Sequence, residues 1–163
     1  MTRGGGGHDG ADMTTNVILF ALLQLGVSAY AAWRGGKPER FVAIAMFAAA
    51  FATMIAYAPL SRRFAGAEFG VLAVDVLLFA GLTVIALNAN RYWPMAVASL
   101  QLASLIVHLG KLLDLTMGGW AYALLLKLWA YPMLLTLLVA TMRHRRRLVR
   151  YGVDRPWTSF DAR

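Results

Sequence analysis

Apolar residues are gathered into five runs, separated by short stretches that are charged or contain glycine and proline. Each run approaches the ~20 residues with which an α-helix crosses roughly 30 Å of hydrocarbon. The pattern predicts an all-α membrane protein, a bundle of five transmembrane helices. The predicted spans are 16–33, 41–60, 69–89, a fourth from the turn at Pro94 to 117, and 120–142.

The spans divide the chain into three parts. Residues 1–15 are polar and glycine-rich, with no apolar periodicity, and are expected to form a disordered tail. Residues 16–142 form the transmembrane domain, and residues 143–163 form a basic tail. Composition agrees with this division, because 60% hydrophobic residues in a chain of 163 exceed what a soluble domain of this size can bury.

Lysine and arginine are unevenly divided between the two ends of the predicted bundle. With the N-terminus outside, eleven of those in loops and tails fall on the cytoplasmic side, and only Arg3, Arg62 and Arg63 fall outside. Cytoplasmic loops of membrane proteins carry the excess of basic residues. The sequence therefore predicts an N-terminus outside and a cytoplasmic C-terminus.

Side-chain size and aromatic positions indicate how the spans sit. In the second span, small residues recur at helical spacing from Ala45 to Ala56, with Phe47 and Phe51 on the other side. Small side chains let helices approach closely in lipid, so this span is expected to be central with its bulky face outward. Aromatic residues near span ends, among them Tyr92 and Tyr122, are typical of interfacial belts.

The net charge of +8 does not indicate nucleic acid as a partner, because much of it lies just after the last span. Five arginines there are predicted to bind anionic lipid headgroups, at about 1 kcal/mol per residue near an anionic leaflet. They are Arg143, Arg145, Arg146, Arg147 and Arg150. The predicted partners are thus the bilayer itself, with a homo-oligomer or a larger membrane complex as a further expectation.

Ionisable residues inside the apolar runs are the most informative chemistry, since each costs roughly 2.5–3.5 kcal/mol at the centre of a span. Five form a candidate intramembrane polar cluster: Asp75, His108, Lys111, Asp114 and Lys127. On span four, Gln101, Ser104, His108 and Lys111 follow helical spacing and share one face. Counting residues from the outer span ends puts the cluster at one level, roughly 9–11 Å below the outer surface.

Two interpretations of this cluster stay open at this point. In the first, ion pairs of Asp75 with Lys127 or Lys111, and of Lys111 with Asp114, fix the rotation of the helices. In the second, the cluster is a polar pocket open to the outside, which accepts a small polar ligand or passes protons through His108 and its neighbour Asp75. The first predicts a structural role and the second a small proton-linked carrier or channel.

Catalysis and cofactors find no support among the motifs. The chain has no cysteine, and we find no metalloprotease or hydrolase signature, so no enzyme activity and no metal site are expected. A bis-histidine haem site is not expected either, because His8 and His144 lie outside the predicted spans. The first hypothesis is therefore a non-enzymatic accessory, structural or assembly subunit, with the carrier or channel as the alternative.

The last two-fifths of the chain resemble a known family. The similarity lies in Asn90-Arg91-Tyr92-Trp93-Pro94, then His108, Lys111 and Asp114, Trp120-Ala121-Tyr122-Ala123, Trp129-x-Tyr131-Pro132-Met133-Leu134, and Arg143-His144-Arg145-Arg146-Arg147. In order and spacing, this stretch, about 91–154, resembles small, basic, polytopic bacterial inner-membrane proteins of uncharacterised activity. The resemblance implies a bacterial inner membrane as the location and implies no mechanism.

Overall fold

The computed structural model describes residues 8–56, 66–89, 91–113 and 119–152. Every regular element in these ranges is an α-helix: α1 (His8–Arg34), α2 (Lys37–Ala56), α3 (Gly66–Asn88), α4 (Trp93–Leu113) and α5 (Gly119–Tyr151). Each contains a segment long and apolar enough to cross a membrane. The prediction of an all-helical protein with five membrane-spanning helices is confirmed to that extent.

The helices extend beyond several of the predicted spans. α1 begins at His8, within the predicted tail, and α5 continues through the arginine-rich segment to Tyr151. Arginine is a good helix former, so the end of the apolar run does not end the helix. The stop comes at Gly152, which has φ of 71° and donates its N–H to the carbonyl of Leu148 at 3.0 Å.

The link between α1 and α2 consists of Gly35 and Gly36 alone. Gly35 donates its N–H to the carbonyl of Ala31 at 2.9 Å, and its own carbonyl accepts from Nε of Arg40 at 3.0 Å. A Cβ at Gly35 would lie 2.4 Å from that Ala31 oxygen and 2.6 Å from Cβ of Glu39. The close approach of the two helices therefore requires glycine at this position.

The helices form a ring in which each packs against the next in sequence and α5 packs back against α1. α2 also contacts α5 across the ring. Buried apolar side chains from all five helices fill the interior, including Val27, Val42, Leu82, Val97 and Leu137. α1, α2 and α5 bring their basic ends together, and we call this the basic end of the bundle.

The bulky face of α2 points outward, as predicted. Phe47, Phe51, Met54 and Ile55 are all exposed, whereas most of the small-residue stripe from Ala45 to Ala56 is partly buried. Across the five spans, only 22–28% of the residues are buried within the protein. The remaining apolar surface needs lipid or another protein to cover it.

Candidate functional site

The predicted polar face of α4 lies against the middle of α3. Gln101, Ser104 and His108 are buried, each with 6% or less of its surface exposed. Their common neighbour on α3 is Asp75: Nε2 of Gln101 donates to its backbone carbonyl at 3.3 Å, and Oγ of Ser104 donates to its Oδ2 at 3.5 Å. Helical spacing thus directs three polar side chains at one carboxylate.

A hydrogen-bonded chain connects three helices through His108. Its Nε2 lies 2.6 Å from Oδ2 of Asp75, and its Nδ1 lies 2.6 Å from the hydroxyl of Tyr122 on α5. The rings of His108 and Tyr122 also meet edge to face, with centroids 5.4 Å apart. We call Asp75, His108 and Tyr122 the proton chain.

The proton chain has two complementary protonation states. An ionised carboxylate can only accept, so Nε2–H of a neutral His108 donates to Asp75, and Nδ1 accepts from the hydroxyl of Tyr122. When an added proton makes the imidazole cationic, both ring nitrogens donate, and the phenolic oxygen of Tyr122 accepts. Every contact survives this change, so the chain is able to hold or release one proton without repacking.

Asp75 also lines a cavity of about 180 Å³ in the middle of the ring, to which all five helices contribute. Its polar lining includes Gln24, Gln101 and Ser104, and its aromatic lining is Phe20 and Trp129. Within the described residues, Oδ1 of Asp75 has no hydrogen-bond partner, and Nε1 of Trp129 is buried without one. Asp75 therefore keeps one carboxylate oxygen that is able to accept a further hydrogen bond.

The structure brings only part of the predicted polar cluster together. Asp75 pairs with His108, and in the described ranges no hydrogen bond or ion pair links it to the half-buried Lys127 on α5. Lys111 lines a small pocket beside His108 and Tyr122. Asp114 lies outside the described residues, as does the predicted Lys111–Asp114 contact.

Three buried polar residues were not anticipated as part of the interior. Tyr122, placed in the aromatic belt by the sequence pattern, is only 7% exposed and completes the proton chain. Glu39 and His144 are 0% and 7% exposed at the basic end, although both lie within charged segments of the sequence. The burial of His144 could have been predicted only by extending α5 past the apolar run, because the continued helix keeps His144 on its packed face.

Both carboxylate oxygens of Glu39 are buried and have no hydrogen-bond partner among the residues that the structure describes. A Cβ built at Gly36 would lie 3.0 Å from Oε2 of Glu39 and 2.8 Å from Cε1 of His144, so the two side chains meet over that glycine. Gln24 and Ser28 on α1 are buried as well. With Glu39 and His144 they form a series of buried polar side chains that leads from the cavity to the basic end.

The fold and the site define a polytopic helical membrane protein with a carboxylate, an imidazole and a phenol hydrogen-bonded in its interior. In the described ranges, no group of three or more histidine, aspartate or glutamate residues is arranged to hold a metal ion. The chain matches no family model, no curated protein and no solved structure.

Proposed function

We propose that the protein is a small proton-linked carrier in which the proton chain binds the coupling proton and the neighbouring cavity binds the solute. The observation that carries this proposal is the position of Asp75, which belongs to both. Its Oδ2 accepts from His108 at 2.6 Å, while its side chain also lines the cavity. A proton and a solute that both need this carboxylate exclude each other, which is the basis of exchange.

The lining of the cavity favours a small organic cation as the solute. Asp75 is the one ionisable residue among the described residues that line it, and Phe20 and Trp129 are its aromatic residues. Carboxylates and aromatic faces both attract ammonium groups, and quaternary ammonium ligands are recognised by such rings. The volume of about 180 Å³ is below the range of drug-sized sites, so the solute is small.

The test is exchange of protons for tetramethylammonium across liposomes that contain the full-length protein. This cation has no proton to lose and cannot cross as a neutral base, so coupled proton movement requires the protein. An outward tetramethylammonium gradient is expected to drive protons inward, as read by a pH-sensitive dye. Asp75→Asn keeps an oxygen that accepts from His108 but removes the charge, and is expected to abolish coupling.

Two further variants sharpen this experiment. Tyr122→Phe leaves Nδ1 of His108 without its partner, at a cost of about 1–3 kcal/mol, and is expected to slow the exchange. Lys127→Met removes another intramembrane charge that does not join the proton chain, and is expected to leave exchange unchanged. Protein-dependent exchange that persists in Asp75→Asn, or its absence from the unmodified protein, would refute the carrier.

We also propose that the protein lies in the bacterial inner membrane with its basic end in the cytoplasm. The support is the excess of arginine at that end and the sequence resemblance. Because the chain has no cysteine, single cysteines report the orientation cleanly. Ser159→Cys is expected to react with an impermeant thiol reagent only from the cytoplasmic side, and labelling from outside would reverse the assignment.

The alternative is a non-enzymatic accessory or assembly subunit. One observation favours it: α5 has 33 residues, about 50 Å at the rise of an α-helix, which exceeds the roughly 30 Å hydrocarbon core. Its basic end therefore projects as a rigid helix that is suited to contact a partner. A stable complex captured in mild detergent, combined with no exchange in liposomes, would favour this function over the carrier.

A further inference from the structure

Arginines from three helices converge on one open groove at the basic end. Arg34 at the end of α1, Arg40 in the first turn of α2 and Arg145 on α5 line this groove, whose volume is about 430 Å³. His144, which is buried, contributes to the same wall. We call this space the basic groove.

Two of the three guanidinium groups of the basic groove are held in place, and none of the three is neutralised by an ion pair with a described residue. Arg34 stacks on the ring of Trp33, with 4.4 Å from its central carbon to the ring centroid, and Nε of Arg40 donates to the carbonyl of Gly35. Among the described residues, none of the three arginines forms an ion pair. Glu39 lies nearby, but it is completely buried and does not line the groove.

We propose that the basic groove binds the phosphate of an anionic phospholipid. Guanidinium groups match phosphate oxygens with paired hydrogen bonds, and basic pockets between transmembrane helices are known sites for lipid headgroups. The site differs from the predicted headgroup contacts of the C-terminal arginines. Of those five residues only Arg145 lines the groove, and Arg34 and Arg40 come from the first third of the chain.

The apolar part of the groove distinguishes a lipid from free phosphate. Trp33, Leu148 and Val149 line it beside the arginines and are 73%, 39% and 82% exposed. They lie just beyond the apolar runs of α1 and α5, among the charged residues, which is the level of the headgroup and glycerol of a bound lipid. An inorganic anion has no apolar part that could pack against these side chains.

The test titrates the full-length protein in a neutral detergent with phosphatidylglycerol and counts bound lipid by native mass spectrometry. One high-affinity phosphatidylglycerol is expected, with much weaker binding of phosphatidylcholine. Arg34→Gln and Arg145→Gln are each expected to weaken it by about fivefold or more. Arg143→Gln is the matched control, because this exposed arginine lies two residues from Arg145 and does not line the groove.

Each outcome decides the proposal. Equal losses in Arg143→Gln and Arg145→Gln would show diffuse attraction to the helix and overturn a defined site. Competition by inorganic phosphate at the same affinity as the lipid would assign the groove to a free anion instead. Helix content and elution volume of each variant show whether it is folded, and Arg34→Gln alters no described hydrogen bond, so at least one variant reports on binding.

Discussion

Replacing Gly35 with alanine is expected to destabilise the protein by about 3 kcal/mol, the upper part of the range for overpacking. The new Cβ would lie 2.4 Å from the backbone oxygen of Ala31 and 2.6 Å from Cβ of Glu39. Neither is the end of a flexible side chain, so the α1–α2 link itself has to move. The measurement is the free energy of unfolding in detergent micelles, from a denaturant titration followed by circular dichroism.

Alanine substitutions at two other glycines give stability changes with which the loss at Gly35 is compared. Alanine at Gly36 meets the side chains of His144 and Glu39, which are able to shift, so a loss of about 1 kcal/mol is expected. Alanine at Gly26, inside α1 with nothing within 4 Å, is expected to stabilise the helix by about 0.5–1 kcal/mol. Similar losses at Gly35 and Gly26 would contradict the tight link.

Breaking the proton chain from one side is expected to cost about 3–5 kcal/mol, because it leaves a buried polar partner uncompensated. Asp75→Leu strands Nε2 of His108, and His108→Leu strands both Asp75 and the hydroxyl of Tyr122. Replacing both residues with leucine removes the stranded carboxylate and imidazole together and leaves only the hydroxyl of Tyr122 without its partner. The double variant is therefore expected to be more stable than either single variant, measured by the same denaturant titration.

This double-mutant cycle isolates the coupling between Asp75 and His108. Leu77→Ala on α3 is the control, since Leu77 is 71% exposed and its truncation is expected to change stability by about 0.5 kcal/mol or less. If the losses of the two single variants simply add in the double variant, the 2.6 Å contact contributes no coupling and the proton chain is not a unit.

Much of the fold follows from the sequence because the bilayer imposes one length on every span. The apolar runs predicted five helices, and the described residues form five that are long and apolar enough to cross a membrane. The ends of the helices were harder to predict than their number, because the ends depend on local chemistry and not on hydropathy. α2 begins at Lys37, ahead of its apolar run, since proline at 38 and glutamate at 39 suit a first turn.

The site could be predicted one helix at a time but not across helices. Periodicity placed Gln101, Ser104 and His108 on a common face, and they share it. Which residue of α3 or α5 meets that face depends on how each helix is rotated, and a single sequence does not fix rotation. The pairing of Asp75 with His108 and the contribution of Tyr122 therefore emerge only from packing.

The lengths of the links determine which parts of the ring are able to move together. At the basic end, α1 and α2 are joined by two residues and α3 and α4 by four, residues 89–92. At the opposite end, nine residues, 57–65, connect α2 to α3. Because short links tie the helices of each antiparallel pair closely, movement of one hairpin against the other is expected to be easier than movement within either hairpin.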